Sequence, residues 1–532
     1  MSRNLFKSVG PQTNSTLVLY SFLEEDLADT KISTEDIHKY YKFGKKVGCG
    51  KYGVVSAGSS LICPGKEVAI KTISLKYMEG RLNLLKQEIV SLKRVDHPNI
   101  VKIFEIFKND EKIFIVMELV KGTDLLEYLC SLKDMSENTA SKIIKQVLKA
   151  IRHMNTLNLC HRDIKLENIM IDPETMQIKI VDFGFSKFYS KKEQLHTRVG
   201  TPYYISPEVL KGSYGKECDM WSIGILTFIL LTGFPPFQTN KATEIYKVIL
   251  TDGIQYDLKF WSTKSEWSLN FIQQCLWYTP DERMTPKDAL NHPWILQSED
   301  KNIKIDKSCY KMLVNFYSNP SGLKKEIFLL LSDTINQENK SKWNEIFEAI
   351  DADNTGRIRV KDLLKMFVNF GYKIPKNSKL KKMYKQDRDI QIKYSDFLAN
   401  MMKAKDGITD EDLYLAFRNL DTENEGRITI SNIQSYINRK GDGGDSKRAS
   451  LLMKEVDTSL SLRQSEREES KDTDLKYSER KEISFNSFRD YFIQSSNLSQ
   501  LTKESEDNYS HRKLASTMDH RSCLQEDWFD SK

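Results

Sequence analysis

Long apolar runs are missing from this sequence. The longest, Ile223 to Leu231, falls far short of the ~20 residues that cross a bilayer, and it reads as a buried helix. Met1-Ser2-Arg3 begins no apolar signal core, and Ser2 stands where N-myristoylation demands glycine. No membrane anchor is expected, and the cytoplasm is the expected location. Eight cysteines include no CxxC pair, and eight histidines show no metal-ligand spacing, so reduced thiols are expected in place of a zinc site or disulfides. An excess of one charge is lacking too. With 80 basic and 74 acidic residues the net charge is only +6, and nothing predicts a nucleic-acid partner.

What is present is ordinary globular composition, 39% hydrophobic and 29% charged over 532 residues, enough for roughly two to four folded units. Tyr41 to Ile295 is dense in apolar and aromatic residues. Glu67 to Lys71 and Ile113 to Met117 read as strands, and Asn138 to His153 as a helix. A strand-rich part followed by a helix-rich part implies an α+β block with two lobes. Asn302 to Leu331 is basic and amphipathic, carrying Lys304, Lys307, Lys311, Lys324 and Lys325. From Asn344 to Phe492 helix–loop–helix patterns recur about 35 residues apart, broken by a linker at Gly441 to Asp445. The tail beyond Asn497 is charged, Ser-rich and poor in aromatics, and disorder is expected there.

The segment from Val47 through Gly48, Cys49, Gly50, Lys51, Tyr52 and Gly53 to Val54 and Val55 contains GxGxxGxV. Glycine lets backbone N–H groups approach phosphate oxygens closely. The β-branched pair after it implies strand–turn–strand, unlike the strand-to-helix turn of a dinucleotide fold. Lys71 ends Val-Ala-Ile-Lys on the next strand and suits the α- and β-phosphates, with Glu88 on a following helix to hold it. In His161-Arg162-Asp163-Ile164-Lys165-Leu166-Glu167-Asn168, Asp163 suits the acceptance of a hydroxyl proton and Lys165 the neutralisation of developing phosphoryl charge. Asn168 and Asp182, the latter in Asp-Phe-Gly, offer the hard oxygens that Mg2+ requires.

These motifs resemble the eukaryotic protein kinases, as do Ser206-Pro207-Glu208, the segment Asp219 to Gly224 and His292-Pro293-Trp294. The resemblance implies ATP as the nucleotide and protein substrates. It makes Met117 the gatekeeper, Glu118 and Leu119 the hinge, and Ala69 and Met170 the adenine sandwich, and it pairs Glu208 with Arg283. Lys165 favours serine or threonine targets. Asp124 and Glu167 are acidic where related kinases receive basic residues near the target hydroxyl. Thr201 is expected to contact Asp163, and Thr197 is a candidate phosphorylation site beside Arg198 and Arg162.

A calcium loop has oxygen ligands at positions 1, 3, 5, 7, 9 and 12 and glycine at 6. Asp351 to Asp362 supplies Asp351, Asp353, Thr355, the Arg357 carbonyl and Asp362, with Gly356 at the turn and Ile358 for the strand that pairs two loops. Aspartate at position 12 is shorter than the usual bidentate glutamate, so weak Ca2+ binding is expected. The second repeat, Lys385 to Asp396, begins with lysine and reads as ion-free. The third, Asp421 to Asn432, offers Asp421, Glu423 and Glu425 but ends on a neutral side chain. A fourth, begun at Asp457 and closed at Ile483 to Phe488, is split by a polar insertion.

Kinase block, basic junction and four hands in this order resemble the calcium-dependent protein kinases of plants and protists. Asn315-Phe316, Leu323-Lys324-Lys325 and Phe347 to Asp351 look like that family's junction and first hand. The expected fold is α+β, a bilobal kinase fold followed by an all-α EF-hand, calmodulin-like domain. The expected divisions are an N-terminal extension 1–40, kinase domain 41–295, autoinhibitory junction 296–338, EF-hand domain 339–495 and tail 496–532. The resemblance implies a serine/threonine kinase controlled by Ca2+ through a junction–EF-hand contact, with that control weakened or partial. Rival readings are a constitutive kinase with structural hands and a calcium-binding adaptor with a kinase-fold docking module. Lys71, Asp163 and Asp182 together speak against the adaptor, which needs none of them.

Overall fold

The computed structural model describes residues 32–297, apart from 50–52, 64, 79–81, 190–194, 198, 238 and 257–260. It then describes 322–332, 337–369, 372, 380, 384–385, 390–404, 410–421, 425–440, 449–454 and 482–492. The expectations for Gly50 to Tyr52, Arg198, Lys304, Lys307, Lys311, Asn315-Phe316, Glu423, the Gly441 to Asp445 linker, Asp457 and the tail lie outside these residues.

Strands β1 (Tyr41–Cys49), β2 (Gly53–Ser60), β3 (Glu67–Ser74), β4 (Ile103–Lys108) and β5 (Lys112–Glu118) form one antiparallel sheet in the order β1-β2-β3-β5-β4. β3 is central, and Val68 to Lys71 are all buried in it, which suits its β-branched, apolar run. Its register sets Lys71 between Val55 and Ile115, and Ala69 between Ala57 and Met117. Gly53 is required by the sheet itself. A Cβ there would lie 2.2 Å from the Thr72 carbonyl oxygen, so this glycine serves strand packing whatever the loop before it holds.

Helix α1 (Leu82–Arg94) lies between β3 and β4 in sequence. Leu85 and Ile89, one turn apart, pack on Ile73, Ile106 and Ile115 of the sheet. That packing turns Glu88, 4% exposed, into the same interior. The second lobe is built around α2 (Glu137–Thr156) and α3 (Cys218–Thr232). Ser136 caps α2 by accepting from the Thr139 N–H. Every turn of α3 is buried, and it stops at Gly233, whose φ of 81° gives a left-handed cap.

After α4 (Gly322–Ser332), which lies in the expected junction, the EF-hand region comprises α5 (Gln337–Ile350), α6 (Val360–Asn369), α7 (Tyr394–Ala404), α8 (Asp410–Leu420) and α9 (Ile430–Lys440). Short strands join the loops in pairs, Ile358 opposite Ile392 and Ile428 opposite Ile483, the four positions that the sequence keeps apolar. Phe347, Phe367, Phe397, Phe417 and Phe488 fill the core. Ile327, Phe328, Leu330 and Leu331 of α4 lie in that core too, with the Phe328 and Phe492 rings 5.1 Å apart.

This region rests on the kinase lobes through polar contacts. Lys340 reaches Glu118 at 2.6 Å, and Lys149 of α2 reaches Glu348 at 2.7 Å. The Ser395 amide and hydroxyl donate to Asp96 at 3.0 and 2.8 Å. His153, in the last turn of α2, meets the Thr355 carbonyl at 2.7 Å.

Candidate active site and calcium loops

Burial would lower the pKa of Lys71, but Glu88 at 2.5 Å and Asp182 at 3.4 Å outweigh it and hold the ammonium charged. Asp182 is held below the usual carboxylate range because Lys71 and the Gly184 amide outweigh its burial. Asp182 sits in a left-handed conformation, φ 59°, while the neighbouring Phe183 is wholly buried with its ring 4.9 Å from that of His161. The buried Phe183 anchors the turn and leaves the Asp182 side chain 48% exposed.

Asp163 is 5% exposed. Its Oδ1 accepts from the Thr201 hydroxyl at 3.0 Å, and its Oδ2 from Asn168 Nδ2 at 2.9 Å and from Lys165 Nζ at 3.1 Å. The Asn168 amide also donates to the Asp163 carbonyl at 2.8 Å, which fixes both residues as one unit. The segment is carried by α3, because buried Asp219 accepts the His161 and Arg162 amides at 2.8 Å each. Arg162 has φ 67°. Its guanidinium donates to the Phe185 carbonyl at 2.6 Å and the Tyr214 hydroxyl at 3.0 Å, and that hydroxyl donates to the Thr197 carbonyl at 2.6 Å. Glu208 and Arg283 form the expected buried pair, at 2.5 and 3.0 Å.

The hinge holds a feature that the sequence did not signal. Burial alone would raise the Glu118 pKa, but Lys179 at 2.8 Å and Lys340 at 2.6 Å hold it at about 2. Burial pushes Lys179 down to about 8 despite that carboxylate. Glu118 therefore turns its side chain toward the EF-hand region, and its amide donates to the Lys102 carbonyl at 2.8 Å. Met117 and Met170 are half-buried, Ala69 is buried, and Val47 and Val54 are exposed.

Lys71, Asp163, Lys165, Asn168 and Asp182 thus form one acidic and basic constellation between the lobes. Residues 41–295 match the protein kinase domain model. Over 80% of its length the chain is 30% identical to calcium-dependent protein kinase 3 of Plasmodium berghei (strain Anka), covering 78% of that protein. Over 75% it is 32% identical to calcium-dependent protein kinase 5 of Plasmodium falciparum (isolate 3D7), covering 71% of it. The chain belongs to the calcium-dependent protein kinase family. It is a protein kinase, and ATP with Mg2+ is the reactant pair such a domain uses. The donor set fits them: a charged lysine, an ionised and half-exposed Asp182, and an Asn168 amide whose nitrogen is committed to Asp163. Among the described residues no helix is long and apolar enough to cross a membrane.

The kinase's first loop is well formed. Asp351 is 6% exposed, and it accepts the Thr355 amide at 3.1 Å and the Gly356 amide at 2.7 Å. The other oxygens, however, already have partners. Arg359 pairs with Asp353 and Asp362, and the Thr355 hydroxyl donates to the Arg357 carbonyl at 3.2 Å. As it stands this set does not fit a calcium ion. In the third loop Asp421 accepts the Glu425 and Gly426 amides at 3.0 and 2.8 Å. Asn432, at position 12, accepts from the Thr429 hydroxyl and amide at 2.7 and 2.8 Å. Arg427 pairs with Glu425 and Glu482, all three about half exposed. Glu423 lies outside the described residues. Arginine at position 9 of the first loop, where an oxygen ligand is expected, was the visible signal that the sequence reading passed over.

Proposed function

We propose that this protein is a serine/threonine kinase that transfers the γ-phosphate of ATP to protein hydroxyls under calcium control, acting in the cytoplasm. The observation that carries it is the Asp163 carboxylate, ringed by Lys165, Asn168 and Thr201 at 2.9 to 3.1 Å. Asp163 accepts the proton of the target hydroxyl and aims its oxygen. Lys165, which also donates to Thr201 at 3.0 Å, offsets charge gathering on the transferred group. Lys71, locked by Glu88, grips the α- and β-phosphates, and Ala69, Met117, Leu119 and Met170 enclose adenine together with Val47, Val54 and Val55. Asn168 and Asp182 hold Mg2+, which supplies charge neutralisation of the phosphate oxygens when bound.

Exposed Glu167, next to the catalytic loop, supports a preference for basic residues near the target hydroxyl. Asp124 supports it less, since its carboxylate caps a helix by accepting from the Glu127 amide at 2.9 Å. Membership of a family whose relatives are named calcium-dependent supports control by Ca2+ at the loops. The hydrophobic residues of α4 inside the EF-hand core support a junction–EF-hand contact.

The test is transfer of labelled γ-phosphate to a basic serine peptide, in calcium and in chelator, beside Asp163→Asn. A loss of roughly 10²–10⁴-fold in the variant is expected, with activity of the unaltered chain requiring calcium. Equal activity in both conditions would remove the calcium switch, and an active Asp163→Asn chain would remove the assigned base.

A further inference from the structure

The first EF-hand loop carries a cation of its own. Position 9 of a calcium loop ordinarily supplies oxygen, often through water; here it is Arg359. Its Nη1 lies 2.6 Å from Asp353 Oδ2 and its Nε 2.5 Å from Asp362 Oδ2. Those carboxylates stand at positions 3 and 12, both of which a filled loop would turn toward its ion. The planar guanidinium fork suits two carboxylates better than any other side chain. The arginine is 26% exposed, Asp362 13% and Asp353 39%, so the arm to Asp362 is partly sheltered from water and salt.

The remaining ligand groups agree. Both Asp351 oxygens hold loop amides, and the Arg357 carbonyl takes the Thr355 hydroxyl. The Thr355 and Asp353 carbonyls face the kinase, toward His153 at 2.7 Å and Arg152 at 3.4 Å. The third loop differs at the decisive position. It has Thr429 at position 9, and its arginine, Arg427 at position 7, is 47% exposed and pairs with Glu425 and Glu482.

We propose that Arg359 stands in for the calcium ion of the first loop. The hand takes no calcium while the guanidinium spans Asp353 and Asp362, and it keeps the shape with which it rests on α2. The inference deepens the proposed calcium control and rests on it, taking ion uptake away from the first loop and giving that loop constitutive docking.

The experiment reads ion binding by the full chain, by calorimetric titration with calcium alone, with the third loop silenced by Asp421→Asn. That chain is expected to bind no calcium below about 1 mM, weaker than any sensor loop. Adding Arg359→Ser should create one site at least tenfold tighter, and Arg359→Gln should do the same. Should either replacement melt the hand in chelator, calcium is expected to restore its helical circular dichroism. An ion taken up at micromolar calcium with Arg359 intact overturns the proposal. So does a double variant that binds none, or one that calcium cannot refold. Kinase activity of the unaltered chain with and without calcium reports separately on the regulatory reading, so the two failures are distinguishable.

Discussion

Gly356 and Gly426 are both position 6 of a calcium loop, with φ of 73° and 75°. Alanine at either should cost about 1–2 kcal/mol of left-handed strain. Their surroundings differ. A Cβ on Gly426 meets nothing within 4 Å, whereas one on Gly356 lies 2.5 Å from His153 Nδ1 and 2.7 Å from His97 Cδ2. Ordinary contact between heavy atoms is about 3.5–4.0 Å, so the histidine rings must retreat by roughly 1 Å. They have nowhere to go, since they are stacked 5.3 Å apart and are 5% and 1% exposed. Overpacking of this kind costs about 1–3 kcal/mol. Losing the contact between His153 and the Thr355 carbonyl adds about 1 kcal/mol. Gly356→Ala is therefore expected to cost about 2–4 kcal/mol more than Gly426→Ala. Denaturant unfolding of the full chain measures the difference, and hydrogen exchange locates it: amides around His97 and Thr355 should exchange faster only in Gly356→Ala. Equal costs, or unchanged exchange at His97, would refute the docking of the first hand on α2.

Arg283→Met leaves Glu208 buried without its partner. The pair is 0% and 7% exposed, so the loss should reach about 3–5 kcal/mol and appear as a lower melting temperature of the kinase domain; a shift within error would contradict it. Glu118 titrates at about 2 in the folded chain against an ordinary 4.5. Its depressed pKa gives stability that is present above about pH 4.5 and is lost as pH falls toward about 2. Lys340→Met should accordingly destabilise the protein at pH 6 and much less near pH 2.5, and a deficit that stays constant across that range would sink the assignment.

Much of the candidate site's convergence was legible because it depends on residue type at fixed spacing. Asp163, Lys165 and Asn168 sit on one short segment, so their convergence follows from local chain geometry. Lys71 and Glu88 lie on different elements, yet the apolar spacing of β3 and α1 already turns both inward. The paired loop strands were legible for the same reason, since Ile358, Ile392, Ile428 and Ile483 are single apolar residues at a fixed place in each repeat. Gly53 was read for phosphate alone, and its approach to Thr72 was not visible, because that distance exists only once β2 and β3 are paired.

The sequence by itself determined the family, the kind of chemistry and the candidate residues for it, because these are properties of side chains and of short spacings. Tertiary structure decided what those groups do to one another at long range. It brought Lys179 and Lys340 to the hinge carboxylate, set His97 and His153 beneath the first hand, and closed Arg359 across two carboxylates. Each is a matter of ångströms between groups that the chain leaves free to meet or to miss, and electrostatic and packing energies change most over those distances.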